Sequence, residues 1–249
     1  MWFKNWFSTS KQFKNDFSFL NTDMHNHVLF GLDDGALKIH DSIQLITQMH
    51  ELGFNTIIPS PHIMSHLYPN NHETIAPVFQ SVKNAINAQL PSVQLPNFAA
   101  EYLIDEEFPI LRKSKKLLPF YKNYILIEMS YVSKSTILEQ EIYELQLAGY
   151  QPVLAHPERY TYLHHDFSIF ENMVGRGCEL QLNLLSLTNR YNKTVTKVAK
   201  KILQKQLYHW AGTDIHKLDH IIDLQHLCKS PNFNLIKNYP FLNNKIIIS

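Results

Sequence analysis

Seven short apolar runs, each followed by a stretch of helical periodicity, succeed one another along most of this chain. The runs over 22–29, 56–59, 97–104, 124–129, 152–155, 179–184 and 208–212 read as strands. The stretches over 39–52, 72–90, 106–118, 135–148, 167–176, 194–205 and 215–228 read as helices, three of them stopping at Gly53, Gly149 and Gly177. Strands alternating with helices demand a parallel sheet covered by helices, open or closed into a barrel. In such folds chemistry gathers at the carboxyl ends of the strands, so each proposed functional residue should fall at one of those ends.

The strand ends carry a repeated signal. The first carries His25 and His27, followed by Asp33, Asp34 and Gly35; the second ends in His62; the third carries Glu101; the fourth ends in Glu128. The fifth ends in His156, followed by Glu158 and Arg159, and the last in Asp214 and His216. The strand over 179–184 ends in Asn183, a weak ligand. Residues two apart on a strand point to one side, so His25 with His27, and Asp214 with His216, can each address one ion. In a closed barrel the first and last strands are neighbours, and the two pairs would meet. Glu128 interrupts the apolar run Ile125-Leu126-Ile127 and, if buried, needs a partner, a proton or a metal. Any one of these residues read alone is more simply a turn, surface or core residue. Together they form an imidazole and carboxylate set without thiolates, which suits Mn, Fe or Zn.

Composition narrows the function. A net charge of +1 gives no electrostatic case for nucleic acid. Cys178 and Cys228 are the only cysteines and have no metal-type spacing, which favours a reducing, cytoplasmic setting. Leu184 and Asn234 stand where a cysteine-nucleophile phosphatase would place its phosphate-clamping arginine, six residues after each cysteine. No apolar run reaches the ~18 residues that span a bilayer. The segment 1–20 alternates aromatics such as Trp2, Phe3, Trp6 and Phe7 with lysines. It reads as an arm packing on the body or on another copy of the chain, with peripheral membrane contact as the alternative. The rest, 21–249, reads as one domain.

Seven segments carry a family likeness: Asp23-Met24-His25-Asn26-His27, Gly31-Leu32-Asp33-Asp34-Gly35-Ala36, Pro59-Ser60-Pro61-His62, Ala100-Glu101-Tyr102, Leu126-Ile127-Glu128-Met129, Leu154-Ala155-His156-Pro157-Glu158-Arg159-Tyr160 and Gly212-Thr213-Asp214-Ile215-His216. Across about 21–217 the chain resembles the polymerase-and-histidinol-phosphatase (PHP) superfamily, and within it the bacterial tyrosine phosphatases encoded with capsule and exopolysaccharide synthesis. The resemblance implies a distorted (β/α)7 TIM-like barrel with two or three divalent ions, Mn first and Fe or Zn as alternatives. It implies one ion at His25, His27, Glu101 and Asp214, a second sharing Glu101 with Glu128 and His156, and a third at Asp34, His62 and His216. Arg159 would hold the substrate phosphate, and Asp33 is the candidate proton donor, with a loop-shaping role as its alternative.

The implied reaction is attack of a metal-bound hydroxide on phosphotyrosine, the substrate being the tyrosine-rich tail of a bacterial tyrosine kinase. The alternatives are a small-molecule phosphatase of the same fold, such as one for histidinol phosphate, and a metal-binding regulator of weak activity. Self-association is compatible with the aromatic arm. Two departures stand out. Phe30 occupies a place where relatives carry proline, and no arginine follows His216, where relatives often have one.

Overall fold

A computed structural model describes residues 16–188 and 190–247. In chain order the elements are β1 (Thr22–Asp23), α1 (Ile39–Glu51), β2 (Thr56–Ile57), β3 (His62–Ile63), α2 (His72–Gln89), β4 (Glu101–Leu103), α3 (Phe108–Lys113), β5 (Tyr124–Glu128), α4 (Leu138–Leu147), β6 (Gln151–Ala155), α5 (Ser168–Gly175), β7 (Glu179–Asn183), α6 (Lys193–Gln204), β8 (Trp210–Gly212) and α7 (Leu218–Lys229). Strands β3 to β8 form one parallel sheet in sequence order, and β1 pairs with β2 in a second parallel sheet.

Backbone hydrogen bonds tie the small sheet to both edges of the large one. At one edge Asp214 N–H donates to His25 O and His27 N–H to Ile215 O, each at 2.8 Å. At the other, Ala99 N–H reaches Pro59 O at 2.7 Å and Glu101 N–H reaches Pro61 O at 3.1 Å. The chain over 56–63, expected as one strand over 56–59 followed by a loop, is split into β2 and β3. Pro59 and Pro61 have no N–H to give, so the ladder breaks between them. Pairing likewise stops at Asp23 in the run expected over 22–29, and the chain continues to His27 through the isolated bonds just described. Asp23 strengthens that contact: its carboxylate accepts Thr213 N–H at 2.9 Å and the Thr213 hydroxyl at 2.6 Å.

The helices form where polar caps and apolar spacing agree. Asn192 caps α6 by accepting Val195 N–H at 2.9 Å, and Val195, Val198, Ala199, Ile202 and Leu203 line its buried face. Asn71 caps α2 through Thr74 N–H at 3.0 Å. The last helix starts at Leu218, three residues later than expected, because Asp214 has φ +52° and Lys217 is extended. The helix expected over 106–118 is confined to α3, with Lys115 at φ +56° just beyond its end.

Alternation divides the strands between two apolar clusters. Ile125, Ile127, Leu154, Leu180 and Leu182 belong to the main core, with the helix residues Leu145, Phe170 and Ile202. Met24, Ile58, Ala99, Leu126, Val153, Ala155 and Trp210 form a separate cluster with Phe120 and Ile246. The segment after α7 contributes to the fold: Asn243 is fully buried, donates to Thr22 O at 3.0 Å and Ala211 O at 2.7 Å, and accepts Ala211 N–H at 3.0 Å. Of the expected arm, residues 1–15 lie outside the described residues. Phe17 is buried, stacked on Phe54 at 5.5 Å and edge-on to Phe233 at 5.6 Å. Among the described residues no helix is long and apolar enough to cross a membrane. Both cysteines are buried, and burial pushes their thiols up to about 12.

Candidate metal centre

All nine residues singled out as ligands converge at the carboxyl ends of the strands. The tightest group joins the first strand to the last. His25 Nε2 lies 3.2 Å from Glu101 Oε2 and 3.5 Å from Asp214 Oδ1, and His27 Nε2 lies 3.4 Å from each. The two imidazole nitrogens are 3.4 Å apart. Ligand atoms at ~2.1 Å from one ion stand about 3.4 Å apart when its geometry is tetrahedral, and each imidazole nitrogen keeps close to that spacing from its neighbours.

A second group forms around the two glutamates. His62 Nδ1 is 3.1 Å from Glu101 Oε2 and 2.9 Å from Glu128 Oε1, and His156 Nε2 is 2.9 Å from Glu101 Oε1. Asp34 supplies the outer group, its Oδ1 lying 3.4 Å from His216 Nε2 and 3.6 Å from His62 Nε2. His62 therefore shows one ring nitrogen to the glutamates and the other to Asp34.

The protein does not satisfy these atoms by itself. His62 Nδ1, Glu101 Oε2 and Glu128 Oε1 are buried and lack a hydrogen bond of acceptable geometry despite their closeness. Buried polar atoms in that condition are costly unless a ligand completes them. Electrostatics agree. Burial works against charge on His62, yet Glu128 and Glu101 outweigh it and push the imidazole up to about 10. Burial would raise the Glu101 carboxyl, but His25 and His62 hold it well below its usual range. Such a knot of opposite charges in a dry place is the environment a divalent cation can enter by displacing protons.

Neighbouring groups aim the rings. Nδ1–H of His25 donates to Gln181 Oε1 at 2.9 Å, that of His27 to Asp33 Oδ2 at 2.7 Å, and that of His216 to Asp214 O at 2.9 Å. Each leaves Nε2 for the cluster, the usual device by which an outer partner fixes a ligand's tautomer. Asp33, expected as a candidate proton donor, has both oxygens engaged: Oδ2 also accepts His62 N–H at 3.0 Å and Oδ1 accepts Gly35 N–H at 2.9 Å. Burial favours its neutral form, but His27 prevails and holds the carboxyl below its usual value. Two glycines admit this crowding. A Cβ on Gly35 would stand 2.1 Å from His27 O, and one on Gly212 would stand 2.6 Å from the Cβ of His25.

Arg159 stands at the edge of the cluster. His156 adopts φ +37° and opens a 3-10 turn over Pro157–Arg159. Glu158, within that turn, is buried and accepts Asn183 N–H at 3.0 Å and the Tyr208 hydroxyl at 2.9 Å, which pins the turn to β7. Arg159 Nη1 then donates to Asp214 Oδ2 at 2.7 Å. Beside it opens a cavity of about 180 Å³ lined by Asp34, Arg159, Arg190, Tyr191, Asp214, His216, Lys217 and His220. Sequence reasoning missed Gln181, weighed Asn183 only as a weak ligand, gave Glu158 no role, and missed Tyr131 and Tyr191. For the first two a signal existed, because they are polar positions alternating with Leu180 and Leu182 on a buried strand.

Comparison with known proteins agrees with this geometry. Residues 21–224 match the family described as capsular polysaccharide synthesis, CpsB/CapC. The tyrosine-protein phosphatase YwqE of Bacillus subtilis is 29% identical over 197 residues, covering 79% of this chain and 77% of that protein. The tyrosine-protein phosphatase CpsB of Streptococcus pneumoniae is 26% identical over 211 residues, covering 79% and 83%. A crystal structure from a study of YwqE and CpsB, described there as unique metal-dependent tyrosine phosphatases, superposes with a TM-score of 0.75. It is 25% identical, and the match covers 88% of this chain and 96% of that one. The match runs through every strand that delivers a ligand-type residue, and the chain belongs to the CpsB/CapC family of capsular polysaccharide synthesis proteins.

Proposed function

We propose that this protein is a metal-dependent protein-tyrosine phosphatase acting in capsule or exopolysaccharide synthesis. Its substrate would be a phosphotyrosine protein, the tyrosine-rich tail of a bacterial tyrosine kinase in the cytoplasm. The observation that carries this reading is the convergence of the His25 and His27 imidazoles on Glu101 and Asp214, each Nε2 lying 3.2–3.5 Å from both carboxylates, beside the guanidinium of Arg159. The architecture is then a distorted (β/α)7 barrel of PHP type, one domain over 21–249.

His25, His27, Glu101 and Asp214 would hold one ion; Glu101, Glu128 and His156 a second; Asp34, His62 and His216 a third. His62, placed between the last two groups, can serve either. Manganese leads among the candidates, with iron or zinc next. Divalent ions in such a site neutralise phosphate oxygens, acidify bound water and stabilise the leaving oxygen. The side chains do the rest. Arg159 commits Nη1 to Asp214 and offers its remaining N–H groups to phosphate, a match of planar donors to tetrahedral oxygens. Asp33 holds His27 and the His62 backbone in place and is not free to deliver a proton. Neither buried thiol has the phosphate-clamping arginine of a cysteine phosphatase.

Protein loaded with manganese should hydrolyse both p-nitrophenyl phosphate and a phosphotyrosine peptide, and chelator should abolish both activities. Turnover indifferent to chelator would overturn the metal reading. Activity on histidinol phosphate without activity on the peptide would overturn the tyrosine reading alone.

A further inference from the structure

Two aromatic rings pack against the guanidinium of Arg159. Its central carbon lies 4.4 Å from the centre of the Tyr131 ring and 4.4 Å from that of Tyr191. Both rings are themselves braced. Asn183 donates from one nitrogen to the Tyr191 hydroxyl at 3.2 Å and to Asp214 Oδ2 at 2.7 Å, so the same side chain steadies two groups that touch Arg159. Arg190, next in the chain to Tyr191, is clasped by Asp223 and Asp219 of α7, each at 2.6 Å. On the other side, Tyr131 stacks on Tyr160 at 5.7 Å, and its hydroxyl lies 3.3 Å from His156 Nε2.

With two rings against it and Nη1 held by Asp214, the guanidinium is restrained beside the cavity that Arg159 lines. We infer that Tyr131 and Tyr191 are positioning residues that clamp Arg159 flat, so that it meets a phosphate group edge-on with two parallel N–H donors. Cation–π contacts favour this arrangement, and more strongly where water is excluded. Both tyrosines lie outside the metal groups, and no sequence motif singled them out. The inference rests on the proposal that Arg159 holds phosphate, and its test separates the two.

The probe is inorganic phosphate, measured by calorimetry on manganese-loaded protein and as a competitive inhibitor of p-nitrophenyl phosphate hydrolysis. Phosphate carries no ring, so a loss of binding reports on Arg159 and not on stacking with a substrate's aromatic group. Arg159→Ala should weaken phosphate by about thirtyfold or more. Tyr131→Leu and Tyr191→Leu should each weaken it by about three- to tenfold and raise KM in step, with bound metal and melting temperature retained. Tyr131→Phe and Tyr191→Phe keep the rings and should recover most of that loss. Tyr131 is 45% exposed, so its Leu variant tests the clamp without emptying a core site. If Arg159→Ala weakens phosphate and the Leu variants do not, the clamp is wrong and the phosphate reading stands. If Arg159→Ala binds phosphate normally, the phosphate reading fails and the clamp with it. Leu variants that lose metal or melt early would assign the rings to structure and overturn the positioning role.

Discussion

The inside of the curled sheet has two ends built on the same strands, and they are opposites. Toward the amino ends of the strands Met24, Ile58, Ala99, Leu126, Val153 and Trp210 form an apolar cluster, and the Trp210 N–H donates to Glu179. Two residues further along, Ala99 gives way to Glu101 and Leu126 to Glu128, and beyond Trp210 the chain reaches Asp214. A rise of ~3.3 Å per residue makes that step ~7 Å, so a short advance along a strand exchanges a dry apolar plug for a buried charge cluster. The lesson is a division of labour along the strand axis. One end gains stability by burial, as apolar area leaves water. The other carries carboxylates and imidazoles with unfinished coordination and gains stability only when a cation arrives.

The sharpest way to break the contrast is at Glu101, which touches His25, His27, His62 and His156. Glu101→Ala should drop turnover to background and remove most bound metal, read by elemental analysis, while circular dichroism shows the fold intact. Loss of the fold would mean that the mouth carries stability after all. The next largest effect is expected at the plug. Trp210 is 1% exposed and meets Phe120 and Tyr124 edge-on, each at 5.1 Å. Trp210→Ala should cost about 3–5 kcal/mol in denaturant unfolding. The folded fraction should still bind manganese with near-normal stoichiometry. The smallest effect has the opposite sign. Replacing both members of the buried pair, His62→Leu with Glu128→Leu, should raise the stability of metal-free protein by about 1–3 kcal/mol, because it removes two buried polar atoms without a hydrogen bond together with their charges. The same variant should gain less on adding manganese than the parent does, since a ligand stabilises only as far as it binds the folded state. If the metal-free double variant is less stable than the parent, the cluster is self-sufficient and the contrast between the two ends dissolves.

Much of this layout was legible beforehand, for definite reasons. The periodicity of the apolar runs gave the strands and their parallel order, because each helix between them is long enough to return the chain. Strand ends gave the candidate residues, because a parallel sheet places those ends together, and the family resemblance picked the candidate ligands from among them. Element boundaries were less legible. The strand expected over 56–59 stops at Ile57 and the chain re-enters a sheet at His62 beyond Pro59 and Pro61, and the left-handed backbone at Asp214 delayed α7. Residues that act through others left little trace. Gln181 and Asn183 look like ordinary polar positions until the sheet sets them beside His25 and Asp214. Tyr131 and Tyr191 are sixty positions apart and meet only through the side chain of Arg159. The resemblance divided the ligands into three groups, but only the structure shows His62 turning one nitrogen to the glutamates and the other to Asp34.

The buried amide of Asn243 joins the first strand, through Thr22 O, to the last, through Ala211, across 221 residues of sequence in the first case. Translation delivers these partners at opposite times. A nascent chain can pair its middle strands while the ribosome is still at work, but the closure between Asp23 and Thr213 is locked only after Asn243 has emerged. A half-made chain in the cell would show the histidines of its first strand to passing ions with no last strand to complete the cage.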